Sequence, residues 1–171
     1  IALLTDTHFG ARNDNLNFNE YFYDFYEGLF FPYLQQNNIK HCIHLGDLMD
    51  RRKYVSYRIL KDFRERFIQP FNYLKINLHI LVGNHDIYFR NTNDINSLNE
   101  LLGQRHDNIF IYSEAQEVDF DGFPILMMPW INPQNEIYSF GMMDETKADT
   151  MMGHFEISGF EMHGGHFSES G

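Results

Sequence analysis

Four short apolar runs in this chain each break off into a tight group of Asp, His or Asn, and that recurrence constrains the fold more than any other feature. "IALLT" runs into Asp6 and His8, and "CIHL" into Gly46, Asp47 and Asp50. "HILV" runs into Gly83, Asn84, His85 and Asp86, and "TMM" into Gly153 and His154. Continuous apolar runs of this length predict strands buried on both faces. In open α/β sheets the carboxyl ends of such strands share one crevice, where ligands bind. Four distant segments can therefore deliver their polar ends to one place.

The stretches between the runs set the class. Phe18, Tyr21, Phe22, Phe25, Leu29 and Tyr33 recur at helical spacing, with Asn17 and Glu20 placed like a capping box. Ile59, Leu60, Phe63, Phe67 and Ile68 mark a second helix, interrupted near Pro70. "INSLNELLG" predicts a short helix closed by Gly103. "NIFIY", "EVDF" and "FPILMM" follow as strands, the last two joined at an Asp121-Gly122 hairpin turn. A polar, Met-rich segment then leads to "TMM". Strands alternating with helices, then a strand-rich portion, predict an α/β fold with a mixed sheet flanked by helices. The length of 171 residues suits one domain, 1–171. "IALLTDTH" lacks an initiator Met and "GGHFSESG" reads as an opened loop, so the core is expected to be incomplete at both ends.

Charge narrows the function. Thirteen basic against 24 acidic residues give a net charge of −11, which argues against gripping nucleic acid by bulk charge. It suits a carboxylate-lined metal site, because bound cations reverse the local field. No run reaches the ~18 apolar residues of a spanning helix, so no membrane is expected. The single cysteine, Cys42, reads as a buried thiol, and with no signal-like start it points to the cytoplasm.

Carboxylate, amide oxygen and imidazole suit borderline-hard divalent cations: manganese, magnesium, iron or zinc. A carboxylate such as Asp47 can bridge two ions, which together clamp a phosphoryl oxygen and activate water for in-line attack. A neighbouring histidine could then stabilise the transition state or protonate the leaving oxygen.

"DTH", "GDLMD", "GNHD" and "GHFE", in this order, resemble the motif series of the calcineurin-like metallophosphoesterases. The resemblance runs over essentially the whole chain and implies an α/β/β/α sandwich. Within the superfamily it is closest to SbcD-like DNA repair nucleases and the small subunit of phage recombination endonucleases. "VDFDGFPILMMPWINPQN" is similar to that group's hairpin followed by Pro-Trp. The resemblance implies that Asp6 and His8 bind one metal, Asp47 bridges, and Asn84 and His154 bind the second. His85 matches the catalytic histidine, acting on phosphate, and Asp86 orients a histidine from behind.

The implied activity is two-metal hydrolysis of DNA phosphodiesters, with manganese as the expected ion. The implied partners are DNA, an SbcC-like repair ATPase and a second copy of the chain. The implied location is the host cytoplasm if the protein is phage-encoded. The alternative is a metallophosphatase or cyclic-nucleotide phosphodiesterase on the same scaffold. Two departures bear on this. The family's later Gly-His-x-His is absent, and His163 and His166 of "HGGHF" have the wrong spacing, so that pair is expected outside residues 1–171. Asp50 stands where many repair nucleases have histidine; it can be a turn residue, a cap or a group behind the ligands. "GDLMDR" resembles the protein phosphatases, in which the following arginine, here Arg51, contacts phosphate. Arg51, Arg52 and Lys53 otherwise read as a solvated loop beside the cluster, and the aromatics between 18 and 33 as core.

Overall fold

The computed structural model describes residues 1–103 and 106–159 in full, with the backbone of 161–163 and 166–167. The first three apolar runs become β1 (Ala2–Leu4), β2 (His41–His44) and β3 (Asn77–Leu81). With β4 (Ile109–Tyr112) they form an all-parallel sheet in the order β1-β2-β3-β4. Leu3 pairs with Ile43, Ile43 with His79, and Ile80 with Ile111, so the strand ends stay level along one edge.

β5 (Gln116–Phe120) and β6 (Phe123–Met128) form the predicted hairpin, and β7 (Thr150–Gly153) joins β6 in parallel. Asp121 and Gly122 both take positive φ, 57° and 91°, which a two-residue turn matched to strand twist requires. β8 (Glu161–His163) and β9 (His166–Phe167) pair as a small ribbon; the side chains of His163 and His166 lie outside the described residues.

The two larger sheets pack face to face through Ile43, Leu81, Tyr112, Phe120, Ile125 and Met127. The opposite face of the parallel sheet, through Cys42, Leu78 and Ile80, lies against Tyr23, Tyr26, Phe30, Phe63, Phe67 and Phe71 of the helical layer. Leu126 and Met128 point outward from the second sheet toward Met142 and Met143. Alternate residues of "FPILMM" thus enter different cores, which is why the run reads apolar throughout. The result is a helix–sheet–sheet–helix sandwich, the mixed α/β architecture expected.

Element boundaries differ from expectation in instructive ways. A single turn, α1 (Ala11–Asp14), precedes α2 (Leu16–Phe25), whose cap is Asn15 accepting from Phe18 N–H at 3.0 Å, two residues before the predicted box. α2 continues through a π-helical turn, Tyr26–Phe30, into α3 (Phe31–Gln36). α4 (Tyr57–Phe63) likewise passes through a π turn, Arg64–Ile68, into α5 (Gln69–Leu74), so Pro70 does not interrupt it.

Each π turn ends just before a proline, Pro32 or Pro70. Proline cannot donate to the carbonyl four residues back and its ring crowds it. Widening the preceding turn relieves that conflict: Phe31 N–H donates to Tyr26 O, five residues back, and Gln69 N–H to Arg64 O. The two π turns meet, with Tyr26 and Phe67 rings 5.1 Å apart.

Most of the predicted helix face points outward. Tyr21, Phe25, Leu29 and Tyr33 are exposed, while Tyr23, Tyr26, Phe30, Phe31 and Leu34 are buried. Arg66 holds Glu20 at 2.7 Å and Glu27 at 2.6 Å across the helical layer. α6 (Ser97–Leu102) follows Asn96 as its cap and ends at Gly103. The Met-rich segment contains α7 (Glu136–Glu145), which no clean apolar stripe announces. Among the described residues no helix is long and apolar enough to cross a membrane.

Candidate metal centre

The loops after β1 and β2 continue to pair beyond the sheet. Asp6 N–H donates to Gly46 O at 3.1 Å, His8 N–H to Asp47 O at 3.1 Å, and Phe9 N–H to Leu48 O at 2.9 Å. This pairing holds Asp6, His8 and Asp47 with positive φ of 52°, 43° and 54°, values that non-glycine residues rarely adopt. Such outliers gather where the surroundings fix a functional geometry.

Two glycines let the strand ends converge. A Cβ on Gly46 would lie 2.7 Å from His154 Nδ1, and its φ of 106° is itself left-handed. A Cβ on Gly83 would collide with the backbone N and carboxylate of Asp47. The "GD" and "GN" spellings therefore record close approach between loops.

Fully buried Asp86 fastens them, accepting from Gly83 N–H at 2.9 Å, Met49 N–H at 3.1 Å and Leu48 N–H at 3.3 Å. It was expected to orient a histidine; it instead ties the loop carrying Asp47 to the loop carrying Asn84, since three inward amides occupy its oxygens. Burial pushes its carboxyl up to about 6, against the pull of those donors.

His44 works from below. Gly46 N–H donates to its Nδ1 at 3.3 Å, leaving Nε2–H for Thr7 Oγ1 at 3.0 Å. Complete burial drives its pKa down to about 3, so the ring stays neutral and clamps the Asp6–His8 loop.

Above these struts the predicted residues meet. His8 Nε2 is 3.7 Å from Asp6 Oδ1 and 3.6 Å from Asp47 Oδ2. His154 Nε2 is 3.5 Å from Asp47 Oδ1 and 2.9 Å from Asn84 Oδ1. Potential ligand atoms of His8, Asp47 and His85 lie within 4.8 Å of one another, as do those of Asp6, Asp47 and His154. Asp47 belongs to both groups and is almost fully buried.

The donor set fits cations. The carbonyl of Leu45 can only accept, so His154 Nδ1 donates to it at 2.9 Å and Nε2 turns a lone pair inward. Asn84 Oδ1 then faces that lone pair and the Asp47 carboxylate. Reversed, the amide nitrogen would donate to His154 Nε2 at 2.9 Å and to Asp47 at 3.2 and 3.1 Å. Oxygen-inward is the orientation a cation selects. His8 Nδ1 is buried without a hydrogen bond, 3.8 Å from Asp50 Oδ1, placing a carboxylate behind the imidazole.

His85 is held differently. Its Nδ1 donates to the Asp50 carbonyl at 2.7 Å, and its backbone N–H to Asp47 Oδ1 at 2.8 Å. Its ring meets that of His8 edge-on at 4.9 Å. Asp50 therefore serves His85 through its backbone and faces His8 through its side chain.

Arg51 does not project as a free phosphate contact. Its guanidinium holds Asp14 at 3.0 Å and Asn13 at 3.2 Å and covers the Tyr54 ring at 5.0 Å. Sequence reasoning missed Arg12, which lines a cleft of about 290 Å³ with Asp6, His8, Phe18 and Asp50. Only its place in the left-handed loop brings it there, and no motif marks it.

Fold and cluster together have the character of the metallophosphoesterase class. The family model of the calcineurin-like phosphoesterases matches residues 1–170, and the chain belongs to that family, whose members use divalent metals. It is 32% identical over 133 residues to exonuclease subunit 1 of Enterobacteria phage T4, covering 78% of this chain and 39% of that protein. The chain thus spans well under half of the curated relative it matches. A crystal structure of a protein of unknown function from Aquifex aeolicus overlaps 87% of this chain and 74% of its own, at 18% identity and a TM-score of 0.42.

Proposed function

We propose that residues 1–171 are the catalytic core of a metal-dependent DNA nuclease that hydrolyses phosphodiester bonds. Asp6 and His8 would hold one divalent cation and Asn84 and His154 a second, with Asp47 shared between them. Manganese is the ion we assign, magnesium, iron and zinc being chemically compatible. When bound, such ions supply Lewis acidity toward a phosphoryl oxygen and an attacking water.

The carrying observation is the division of labour between adjacent residues. Asn84 turns its side-chain amide toward the carboxylate cluster, whereas His85 is anchored through Nδ1 to the Asp50 carbonyl. That anchor leaves Nε2 for a substrate phosphate, where an imidazolium can stabilise charge or protonate the leaving 3′ oxygen.

Likeness to a phage exonuclease subunit supports DNA as substrate, a second subunit as partner (an SbcC-like ATPase) and the host cytoplasm as location. The exposed stripe of Tyr21, Phe25, Leu29 and Tyr33 supports a homodimer through the helical layer. The phosphatase-like reading of "GDLMDR" is weakened because Asp14 and Asn13 occupy Arg51.

Incubation of the protein and manganese with linear DNA, a chromogenic phosphodiester and a chromogenic monoester tests the proposal. DNA cleavage to short products is expected. Turnover of the monoester or a cyclic nucleotide with DNA left intact would replace it with the phosphatase or cyclic phosphodiesterase reading.

A further inference from the structure

The loops just beyond Asp50 and His85 carry cations and exposed rings that the metal centre does not use. Residues 51–55 with Tyr88, Ile95, Asn96, Ser97, Glu100 and Leu101 line a groove of about 180 Å³, and Phe89 and Arg90 follow Tyr88 just outside it. Lys53 Nζ sits 5.4 Å from the Tyr88 ring centroid, joining the two loops. Tyr54, Tyr88 and the adjoining Phe89 are 66%, 39% and 50% exposed. Arg52, Lys53 and Arg90 make no ion pair among the described residues. In a chain of net charge −11 this is a local reversal of sign. Glu100 is the acidic group on the wall.

The platform is braced. Tyr88 N–H donates to Ile95 O at 2.9 Å, closing the base of the 88–95 excursion. Inside it, buried Asn93 donates to Ser113 O at 2.9 Å and Trp130 O at 3.0 Å. Asn96 then donates to Asn93 O at 2.8 Å. Rings on a braced loop can stack without a large ordering cost.

We infer that this groove is a subsite for single-stranded nucleic acid, in which Tyr88 and Tyr54, with Phe89 at the rim, stack on unpaired bases while Arg52 and Lys53, with Arg90 on the adjoining loop, meet the phosphates. The inference rests on the nuclease reading and deepens it, since a paired duplex hides the base faces that these rings would cover. Cations alone would accept a duplex equally well; exposed rings add the preference for an unpaired strand. Met49 and Arg51, the two neighbours of Asp50, are on the groove wall, and the Asp50 carbonyl holds His85, so a strand lying in the groove reaches the phosphate-directed histidine.

Fluorescence anisotropy in EDTA, where no cleavage intervenes, tests this with a labelled 12-mer oligodeoxynucleotide and a nicked duplex minicircle of mixed sequence. Wild type is expected to prefer the single strand. Tyr88→Ala should weaken single-strand binding about tenfold, with Tyr88→Phe near wild type, as stacking of one base implies. Lys53→Gln should lower the salt slope for the single strand by about 0.7. Unchanged single-strand affinity in Tyr88→Ala, or equal losses on single strand and minicircle, would overturn the subsite while leaving the nuclease reading intact. Wild type that neither binds nor, with manganese, cuts any DNA, yet hydrolyses a small phosphoester, would sink the nuclease reading itself.

Discussion

At the scale of single residues, the account turns on two neighbours with opposite duties. Asn84 faces carboxylate and imidazole lone pairs, whereas His85 hangs from a backbone carbonyl. We therefore expect His85→Ala to slow DNA cleavage by roughly 10²–10⁴-fold with manganese content near wild type. Asn84→Ala should lose manganese as well as activity. Metal analysis beside a cleavage assay separates the two, and metal loss in His85→Ala with retention in Asn84→Ala would reverse the assignments.

The residues of this centre were legible because strand ends repeat a pattern of acids, amides and imidazoles. The struts were not. His44 and Asp86 act through Thr7 and through backbone amides, contacts that leave no spacing signature. Arg12 and the pairing of Arg51 with Asp14 depend on left-handed turns that only the folded loop reveals.

At the scale of elements, the glycines after β2 and β3 set how closely two loops meet. Gly83→Ala should destabilise the fold by about 1–3 kcal/mol through overpacking against Asp47, read from a urea midpoint, and should weaken metal binding with it. Wild-type stability in that variant would mean that the loops yield more readily than their packing suggests.

The strands were readable since buried runs are short and bounded. The helical layer was half readable: aromatic residues occur all round α2, so period alone could not choose between the buried and the exposed set. Each π turn then shifts the register ahead of a proline. α7 was hidden because Ile137, Tyr138 and Phe140 are exposed beside Met142 and Met143, which face the sheet. The exposed stripe carries a prediction of its own. Leu29→Glu should shift a dimer toward monomer in sedimentation velocity, and an unchanged distribution would exclude this face as the contact.

At the scale of the whole molecule, the two sheets enclose a polar cluster remote from the metal centre. His79 meets Tyr112 OH at 2.8 Å and His41 at 3.2 Å, with Phe110 stacked on its ring and Phe120 meeting it edge-on. Burial, with His41 adding to it, lowers its pKa to about 4, below the ~6.5 of an unfolded chain. Its neutral form thus belongs to the fold. The stability it contributes is present above pH ~6.5 and is lost as pH falls toward 4, because the unfolded chain then takes up the proton first. The stability gap between wild type and His79→Phe should move in the variant's favour from pH 7 to pH 5, measured by urea unfolding. A gap independent of pH would contradict the assignment.

The sandwich as a whole exists to bring four strand ends to one carboxylate, and Asp47 is the test of that statement. Calorimetric titration of manganese into metal-free protein, wild type beside Asp47→Asn, asks the question most directly. We predict saturable binding in wild type and affinity lower by at least tenfold, about 1.4 kcal/mol, in the variant, because both ions lose a shared anionic ligand. Identical isotherms for the two proteins would contradict the account.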